Sequence, residues 1–374
     1  MKRTPPGNVC FVNGMDGYAG AEIWMLDAAL GLRERGWRVS VVAPPGAPLL
    51  ERAAAGGLDV RGVPIRFDAA PWTIARLWDH FTRRGVRAVL CNRLKDLKAA
   101  GVAARLAGVP VILQSRESDF PLRRRFYYRW YYNGVATGVL ANSEATRETT
   151  LRSAPWLSPE RVHLLYKGVD RRRYFPTPAP DETPAVVGFA GTLDERKGVP
   201  LLMEAWTKLV AGRAGPQPVL RIAGAGPLRE TLLAWQRALP RPGGVELLGW
   251  VEDMPELYRT LDLLVCPSRY EGFGLAAVEA MACGRPVVAT RASSLPEIVE
   301  DGVTGLLTPP GDADALRDAL AALLDDRGAR ARMGQAAVAR VEARFDRERA
   351  LDRLETLLHP PRRIRRRSLT KETP

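Results

Sequence analysis

The sequence predicts an α/β protein made of two doubly wound parallel-sheet domains in tandem, and three observations carry that reading. Strand-length apolar runs alternate with helix-length amphipathic stretches from end to end, a proline-rich break interrupts them near the middle, and 374 residues are too many for one ordinary core. In the first half Val9-Cys10-Phe11-Val12 reads as a strand, Ala21 to Arg35 as a helix stopped by Gly36, and Val39-Ser40-Val41-Val42 as the next strand. Further strands are expected near Ala88 to Cys91, Val111 to Leu113 and Gly138 to Ala141. Arg171 to Pro184, with Pro176, Pro178, Pro180 and Pro184, reads as a linker. The alternation restarts at Val186 to Phe189 and continues at Leu220 to Ala223, Val245 to Leu248, Leu263 to Cys266 and Pro286 to Ala289. Helices from Ala313 to Leu324 and from Asp346 to Leu358 finish the fold. The expected divisions are residues 1–176, 177–345 and 346–374, the last a helix crossing back to the first domain plus a basic tail. Such sheets bind ligands at the carboxyl ends of their strands, so a shared ligand belongs in the cleft between the domains.

Composition narrows the class. Apolar residues make up 46% of the chain, enough to give each half a core. No stretch of about 18 uninterrupted apolar residues occurs, and Met1-Lys2-Arg3-Thr4-Pro5-Pro6 lacks the apolar core of a signal peptide, so a cytoplasmic protein is expected. Cys10, Cys91, Cys266 and Cys283 lie far apart, the first three inside apolar runs where cysteine acts as a small hydrophobe. Disulfides and structural zinc are therefore not expected. With only His80, His163 and His359, at no ligand spacing, a histidine-rich metal site is set aside. The net charge of +13 is uneven: residues 1–176 hold 28 Lys and Arg against 15 Asp and Glu, residues 177–345 hold 18 against 22, and residues 346–374 hold 9 against 5. Nucleic acid, an anionic membrane or an anionic small substrate would each fit that field, as would a surface tuned for solubility.

The strongest local signal is Glu271-Gly272-Phe273-Gly274-Leu275-Ala276-Ala277-Val278-Glu279, directly after an apolar strand. Its glycines let the backbone approach a ligand, and a helix starting near Phe273 to Leu275 points its N–H groups and positive dipole there, a phosphate-binding geometry. Glu279 lies more than a turn beyond Glu271, so the two suit opposite ends of an elongated ligand better than the two sides of one bond. A glycine-rich turn with two solvent-facing glutamates is the plain structural alternative.

These residues resemble the retaining GT-B glycosyltransferases of family 4, also called glycosyl transferases group 1, and the resemblance runs from about Val9 to Leu358. It implies two Rossmann-like domains facing a central cleft. It implies further that the glutamate at Glu271 lies beside the donor sugar, that Glu279 binds the nucleotide ribose, and that the backbone of Phe273, Gly274 and Leu275 meets sugar and phosphate. In Gly191-Thr192-Leu193-Asp194-Glu195-Arg196-Lys197-Gly198 the family places cations on the leaving diphosphate, which makes Lys197 and Arg196 the candidates. The family often has arginine directly after the first glycine, where this chain has Thr192. Gly224-Ala225-Gly226-Pro227 and Leu248-Gly249-Trp250-Val251 resemble loops lining the nucleotide, Trp250 near the base. Lys167-Gly168-Val169-Asp170 resembles the turn at the domain boundary, with lysine where asparagine is more usual. Ser293-Ser294-Leu295-Pro296-Glu297 resembles another family loop but lacks its paired glycines.

In the first domain, Gly14-Met15-Asp16-Gly17-Tyr18-Ala19-Gly20 joins strand to helix with a spacing that is not the dinucleotide fingerprint, which excludes a nicotinamide enzyme of that type. Gly20 matches the family loop that approaches the donor phosphates, whereas Gly14 and Gly17 fit a plain strand–helix turn equally well. Where many members carry a histidine near the reacting carbon, this chain has Gln114-Ser115-Arg116-Glu117-Ser118-Asp119; Arg116 and Glu117 are the acceptor-binding candidates, and Asp119 could equally cap a helix starting at Pro121. Pro121 to Tyr132 mixes arginine with Phe, Tyr and Trp at too many consecutive positions for one helix face to bury, a mixture suited to a membrane interface. The tail Arg362-Arg363-Ile364-Arg365-Arg366-Arg367 adds a basic cluster. A core-packed aromatic helix and a solubilising tail are the alternative.

The expected activity is metal-independent transfer of a hexose, with retention, from a UDP- or GDP-linked sugar to a hydroxyl acceptor in cell-envelope glycan, lipopolysaccharide or exopolysaccharide synthesis. No cofactor is expected beyond that donor. The expected partners are the nucleotide sugar, a lipid-linked or glycan acceptor and the anionic inner face of the membrane, with no nucleic acid. Two rivals remain: a nucleotide-sugar epimerase or hydrolase on the same fold, and a non-catalytic binder of anionic lipid.

Overall fold

The computed structural model describes residues 7–65, 70–123, 125–178, 184–213, 216–239 and 244–360. The basic cluster at 362–367 lies outside them. Seven parallel strands form the first sheet: β1 Asn8–Val12, β2 Arg38–Ala43, β3 Asp59–Gly62, β4 Ala88–Cys91, β5 Val111–Arg116, β6 Gly138–Ala141 and β7 Val162–Leu164, in the order β3-β2-β1-β4-β5-β6-β7. Six form the second: β8 Val186–Ala190, β9 Val219–Ala223, β10 Val245–Gly249, β11 Leu263–Cys266, β12 Val287–Thr290 and β13 Gly305–Thr308, in the order β10-β9-β8-β11-β12-β13. Both orders reverse direction once, between β1 and β4 and between β8 and β11, which marks the ligand-binding crevice in folds of this type.

Central strands such as β4, β11 and β12 are buried at every position because helices cover both faces, and they therefore read as unbroken apolar runs. The strands that the sequence did not signal are β3, β7 and β13. Each lies at a sheet edge, where half-exposed residues (DVRG, VHL, GLLT) replace the apolar run. The four cysteines are buried and free. Among the described residues no helix is long and apolar enough to cross a membrane.

The last helix, Arg347–Leu358, follows the second domain in sequence but packs in the first. Leu351, Leu354 and Leu358, at i, i+3 and i+7, enter the core that also holds Val9, Phe11, Met25 and Leu32. Arg347 bonds Asp27 at 2.9 Å and Glu34 at 3.0 Å, and Asp346 caps the helix by accepting from the N–H groups of Glu348 and Arg349. The chain thus crosses between domains twice at one place: Val169 pairs with Asp346, and Gly168 lies so close to the Arg347 backbone that a Cβ would fall 2.5 Å from its Cα.

Leu354→Ala should leave a cavity in the first domain and destabilise it by about 2–5 kcal/mol. Urea unfolding followed by tryptophan fluorescence checks this; an unchanged midpoint would mean that the helix does not share the first domain's core.

Candidate active site

The loops after β8 and β11 flank the reversal point of the second sheet, and their packing sets the site. Gly198 takes a left-handed backbone (φ 75°), and a Cβ there would overlap the carbonyl oxygen of Pro267, so only glycine allows the two loops to meet. The backbone N–H groups of Arg269 and Tyr270 then donate to the Arg196 carbonyl at 2.9 and 3.3 Å. This contact brings Lys197 onto Glu271. Its ammonium donates to both carboxylate oxygens, at 2.7 and 2.6 Å, and Ser268 Oγ donates to one of them at 3.1 Å. Burial pushes the Glu271 pKa up, but the Lys197 charge and these hydrogen bonds outweigh it and hold the carboxyl below its ordinary value. Arg196 is more exposed and sits 3.6 Å from Asp194.

The backbone of the same loop is fixed from below. Glu271 N–H donates to Ser293 Oγ at 3.1 Å, and Ser294 Oγ donates to the Phe273 carbonyl at 2.8 Å. Ser293 has φ 51°, the one positive value at a non-glycine position among the described residues, so it supplies the turn without paired glycines. Phe273 turns its ring into the core against Tyr166 and Phe345, leaving its backbone as the part able to meet a ligand. Gly274, at φ 95°, opens the helix Leu275–Ala282, whose first-turn N–H groups lack intrahelical partners, as at every helix start.

Glu279 lies on that helix, buried, with both oxygens occupied: Tyr258 OH donates at 2.9 Å and Tyr174 OH at 3.1 Å. Burial pushes its pKa up to about 7, against the smaller opposing effect of those hydrogen bonds. Sequence reasoning missed both tyrosines; only Tyr174, in the linker, stood near a motif. Gly224 donates its N–H to the Gly249 carbonyl at 2.7 Å, which sets the loops after β9 and β10 side by side. Trp250 is half exposed, 6.5 Å from the Tyr18 ring of the first domain, and donates to Glu252, which also pairs with Arg52 across the domains at 2.7 Å. An open depression of about 410 Å³, lined by Arg172, Phe175, Glu252 and Arg259 among others, borders this latch and contains none of Lys197, Glu271 and Glu279.

From the first domain, Gly20 begins the helix Gly20–Glu34 with open space where a Cβ would be. The Asn13 to Ala19 loop is tied down by Asp96, which accepts from Gly14 N–H at 2.8 Å, and by Glu22, which accepts from Ala19 N–H at 3.1 Å. Glu117, just past β5, pairs with buried Lys167 at 2.5 Å. Arg116 points elsewhere: its guanidinium bonds the Phe120 carbonyl and Thr150 Oγ1, so it secures the loop rather than facing Glu117's partners. The domains touch at Gly272, where a Cβ would overlap the Glu117 carbonyl oxygen. Lys197, Glu271 and Glu117 are therefore gathered around one contact, with Arg196 in the same loop as Lys197, while Glu279 and Trp250 hold separate stations. Among the described residues no group of three or more His, Cys, Asp or Glu is placed to hold a metal ion.

Comparison with known proteins decides the family. The Glycosyltransferase Family 4 profile matches residues 18–173 and the Glycosyl transferases group 1 profile matches residues 170–340. The α-D-kanosaminyltransferase of Streptomyces kanamyceticus is 32% identical over 276 residues, which cover 67% of this chain and 70% of that enzyme. The chain belongs to the family-4 glycosyltransferases. Another member, the lipopolysaccharide core biosynthesis mannosyltransferase LpsB of Rhizobium meliloti, is 32% identical over 57% of this chain and 65% of its own length. The match to the α-maltose-1-phosphate synthase of Mycolicibacterium smegmatis, at 34% identity, spans only about half of that enzyme, 48%. Anabaena HepE, solved in complex with UDP, shares the GT-B fold, with a TM-score of 0.79 and 24% identity over 95% of this family-4 chain and 99% of its own.

Because Glu279 is protonated more readily folded than unfolded, its contribution to stability is full below about pH 4.5 and is lost as pH rises through about 7. Glu279→Gln does not titrate, so its stability relative to the parent should grow by on the order of 3 kcal/mol between pH 4.5 and pH 8. Paired urea titrations at the two pH values measure this, and a difference that does not change with pH would contradict a carboxyl whose pKa is raised by burial.

Proposed function

We propose that the protein moves a hexose from a UDP- or GDP-linked donor to a hydroxyl of a lipid-linked or glycan acceptor, with retention of configuration and without a metal ion, in cell-envelope glycan synthesis. The observation that carries this reading is the Lys197–Glu271 pair at the reversal point of the second sheet, directly before the start of the helix Leu275–Ala282. A departing diphosphate gains negative charge; Arg196, Lys197 and the helix N-terminus would stabilise it there. Glu271 already accepts from Lys197 and Ser268, which suits a carboxylate that orients its neighbours and the sugar better than one that attacks carbon. Attack from the face of the departing phosphate then accounts for retention. Glu279 would exchange a tyrosine hydroxyl for a ribose hydroxyl. UDP in the complex of HepE is a ligand of this kind on the same fold.

The acceptor side suggests work at a cytoplasmic membrane face. The helix Phe126–Trp130 presents Phe126, 93% exposed, and Trp130, 56% exposed, with Phe120 and Arg129 nearby in sequence. Part of the mixed aromatic stretch does serve the core, since Tyr132 is fully buried. The exposed rings and arginines would settle among anionic headgroups.

Lys197→Ala should lower turnover by about 10² or more while the protein stays folded, measured by mass spectrometry in a donor screen with lipid extract as acceptor. Near-normal turnover would remove Lys197 from the site. Product formed from donor alone would favour an epimerase or hydrolase. Co-sedimentation should show stronger binding to acidic than to neutral vesicles, reduced by Phe126→Ser/Trp130→Ser; equal binding to both, or none to either, would end the membrane proposal.

A further inference from the structure

The segment Ser293 to Ile298 makes contacts on two sides, and the site described above uses only one of them. Toward the donor loop, Ser293 and Ser294 hold the backbone of Glu271 and Phe273, and the side chains of Ile298 and Leu295 lie 3.0 and 3.2 Å from where a Cβ on Gly274 would be. Toward the first domain, the same segment extends Glu297. Its carboxylate accepts from the N–H groups of Glu144 and Ala145 at 2.8 Å each and from Tyr166 OH at 3.0 Å, and its carbonyl accepts from Arg340 at 3.0 Å.

Glu144 and Ala145 open the first-domain helix Glu144–Ser153, and the leading N–H groups of a helix have no partners within it. Here the third, from Thr146, goes to Ser143 Oγ at 3.1 Å, and the first two go to Glu297. The helix start is thus completed from the other domain. A carboxylate is the group that fits: two of the three converging donors are N–H groups, onto which a carboxamide would turn its own NH2, and negative charge is favourable at that end of the helix. Tyr166 extends the connection, since its ring centre lies 6.1 Å from that of Phe273.

We propose that Glu297 is a positioning residue for Glu271: by capping the helix Glu144–Ser153 it holds the segment Ser293 to Ile298, and through it the loop Glu271 to Gly274, in fixed relation to the first domain. The proposal rests on the reading that this loop receives the sugar of the donor. A nucleotide held by second-domain residues does not need that relation, whereas transfer to an acceptor held by the first domain does. Transfer needs the donor carbon and the acceptor hydroxyl in near-contact, and a misplacement of about 1 Å costs about a hundredfold. Loss of the cap should therefore appear in turnover and leave nucleotide affinity alone.

The contact can be cut from either domain. Glu297→Gln cuts it from the second. Glu144→Pro removes an N–H from the first and replaces it with a ring carbon, at a position that tolerates the change: Glu144 is the first helical residue, where proline is favoured, and Ser143 before it is already extended at φ −154° and ψ 161°. Glu144→Ala keeps the N–H and should match the parent throughout. Hydrogen exchange read by mass spectrometry tests the connection without any substrate. Glu297→Gln and Glu144→Pro should each speed exchange by about tenfold or more in peptides covering 268–275, on the far side of the segment, and leave peptides covering β9 unchanged. In the donor screen with lipid extract, both should lower kcat by about tenfold or more while binding UDP or GDP within about twofold of the parent. Glu297→Gln/Glu144→Pro should be no worse than the more affected single variant, because both cut one contact. Unchanged exchange at 268–275 in Glu144→Pro, or a double variant that loses the product of the two single losses, overturns the proposal. So does a loss of nucleotide affinity as large as the loss of kcat, since that places the effect in the second domain alone. A parent protein that binds neither nucleotide overturns the donor reading and with it the role in transfer, while exchange still decides the connection.

Discussion

A carboxylate that is almost wholly buried stays ionised only beside a fixed cation, and the Glu271–Lys197 pair is that arrangement here. Removing either partner would strand a charge in a poorly solvated place, so the surrounding chain is organised to keep both. Gly198 yields its side-chain volume to Pro267, the Arg196 carbonyl receives two N–H groups from the facing loop, and Ser268, Ser293 and Ser294 fix the loop from beneath. The pair sits at the one place in the second sheet where strand order reverses and helix starts converge on a crevice. Catalytic electrostatics need this kind of preorganisation, because a cation that must be recruited during the reaction has already lost most of its advantage.

The second constraint is how the domains meet. Contact at Gly272 and Glu117 is close enough to exclude any side chain, and it is backed by ties farther out: Arg52 with Glu252, and Glu297, whose carboxylate accepts from the N–H groups of Glu144 and Ala145 at 2.8 Å each. Glu297 thus caps a first-domain helix, Glu144–Ser153, from the other domain, and also accepts from Tyr166 OH at 3.0 Å. Aromatic contacts across the domains add to these polar ties, with Phe120 5.3 Å from Tyr270 and Tyr166 5.3 Å from Phe345 between ring centres. The double crossing at Gly168 and Arg347 joins the two halves at a single place.

Much of this was legible in the sequence, for identifiable reasons. Central strands announce themselves because burial on both faces demands apolar runs; β3, β7 and β13 do not, being only three or four residues long and partly exposed. Glu271, Lys197 and Gly198 were visible as a loop chemistry tied to strand ends. What the sequence hid was pairing at long range. That Tyr174 and Tyr258 would meet on Glu279, that Ser293 would adopt a positive φ to hold Glu271, and that Lys167 would neutralise Glu117 all depend on contacts between residues 21 to 105 positions apart. Arg116 illustrates the converse: beside Glu117 in sequence, it bonds the Phe120 carbonyl and Thr150 instead of Lys167.

A crevice at Lys197 and Glu271 that serves a nucleoside diphosphate must take it by shape as well as by charge. Calorimetric titration of the intact chain with UDP, GDP and ADP at two salt concentrations addresses that directly. Preference for one base by about tenfold or more, retained at high salt, is the predicted result. Equal binding of all three that fades together as salt rises would contradict it.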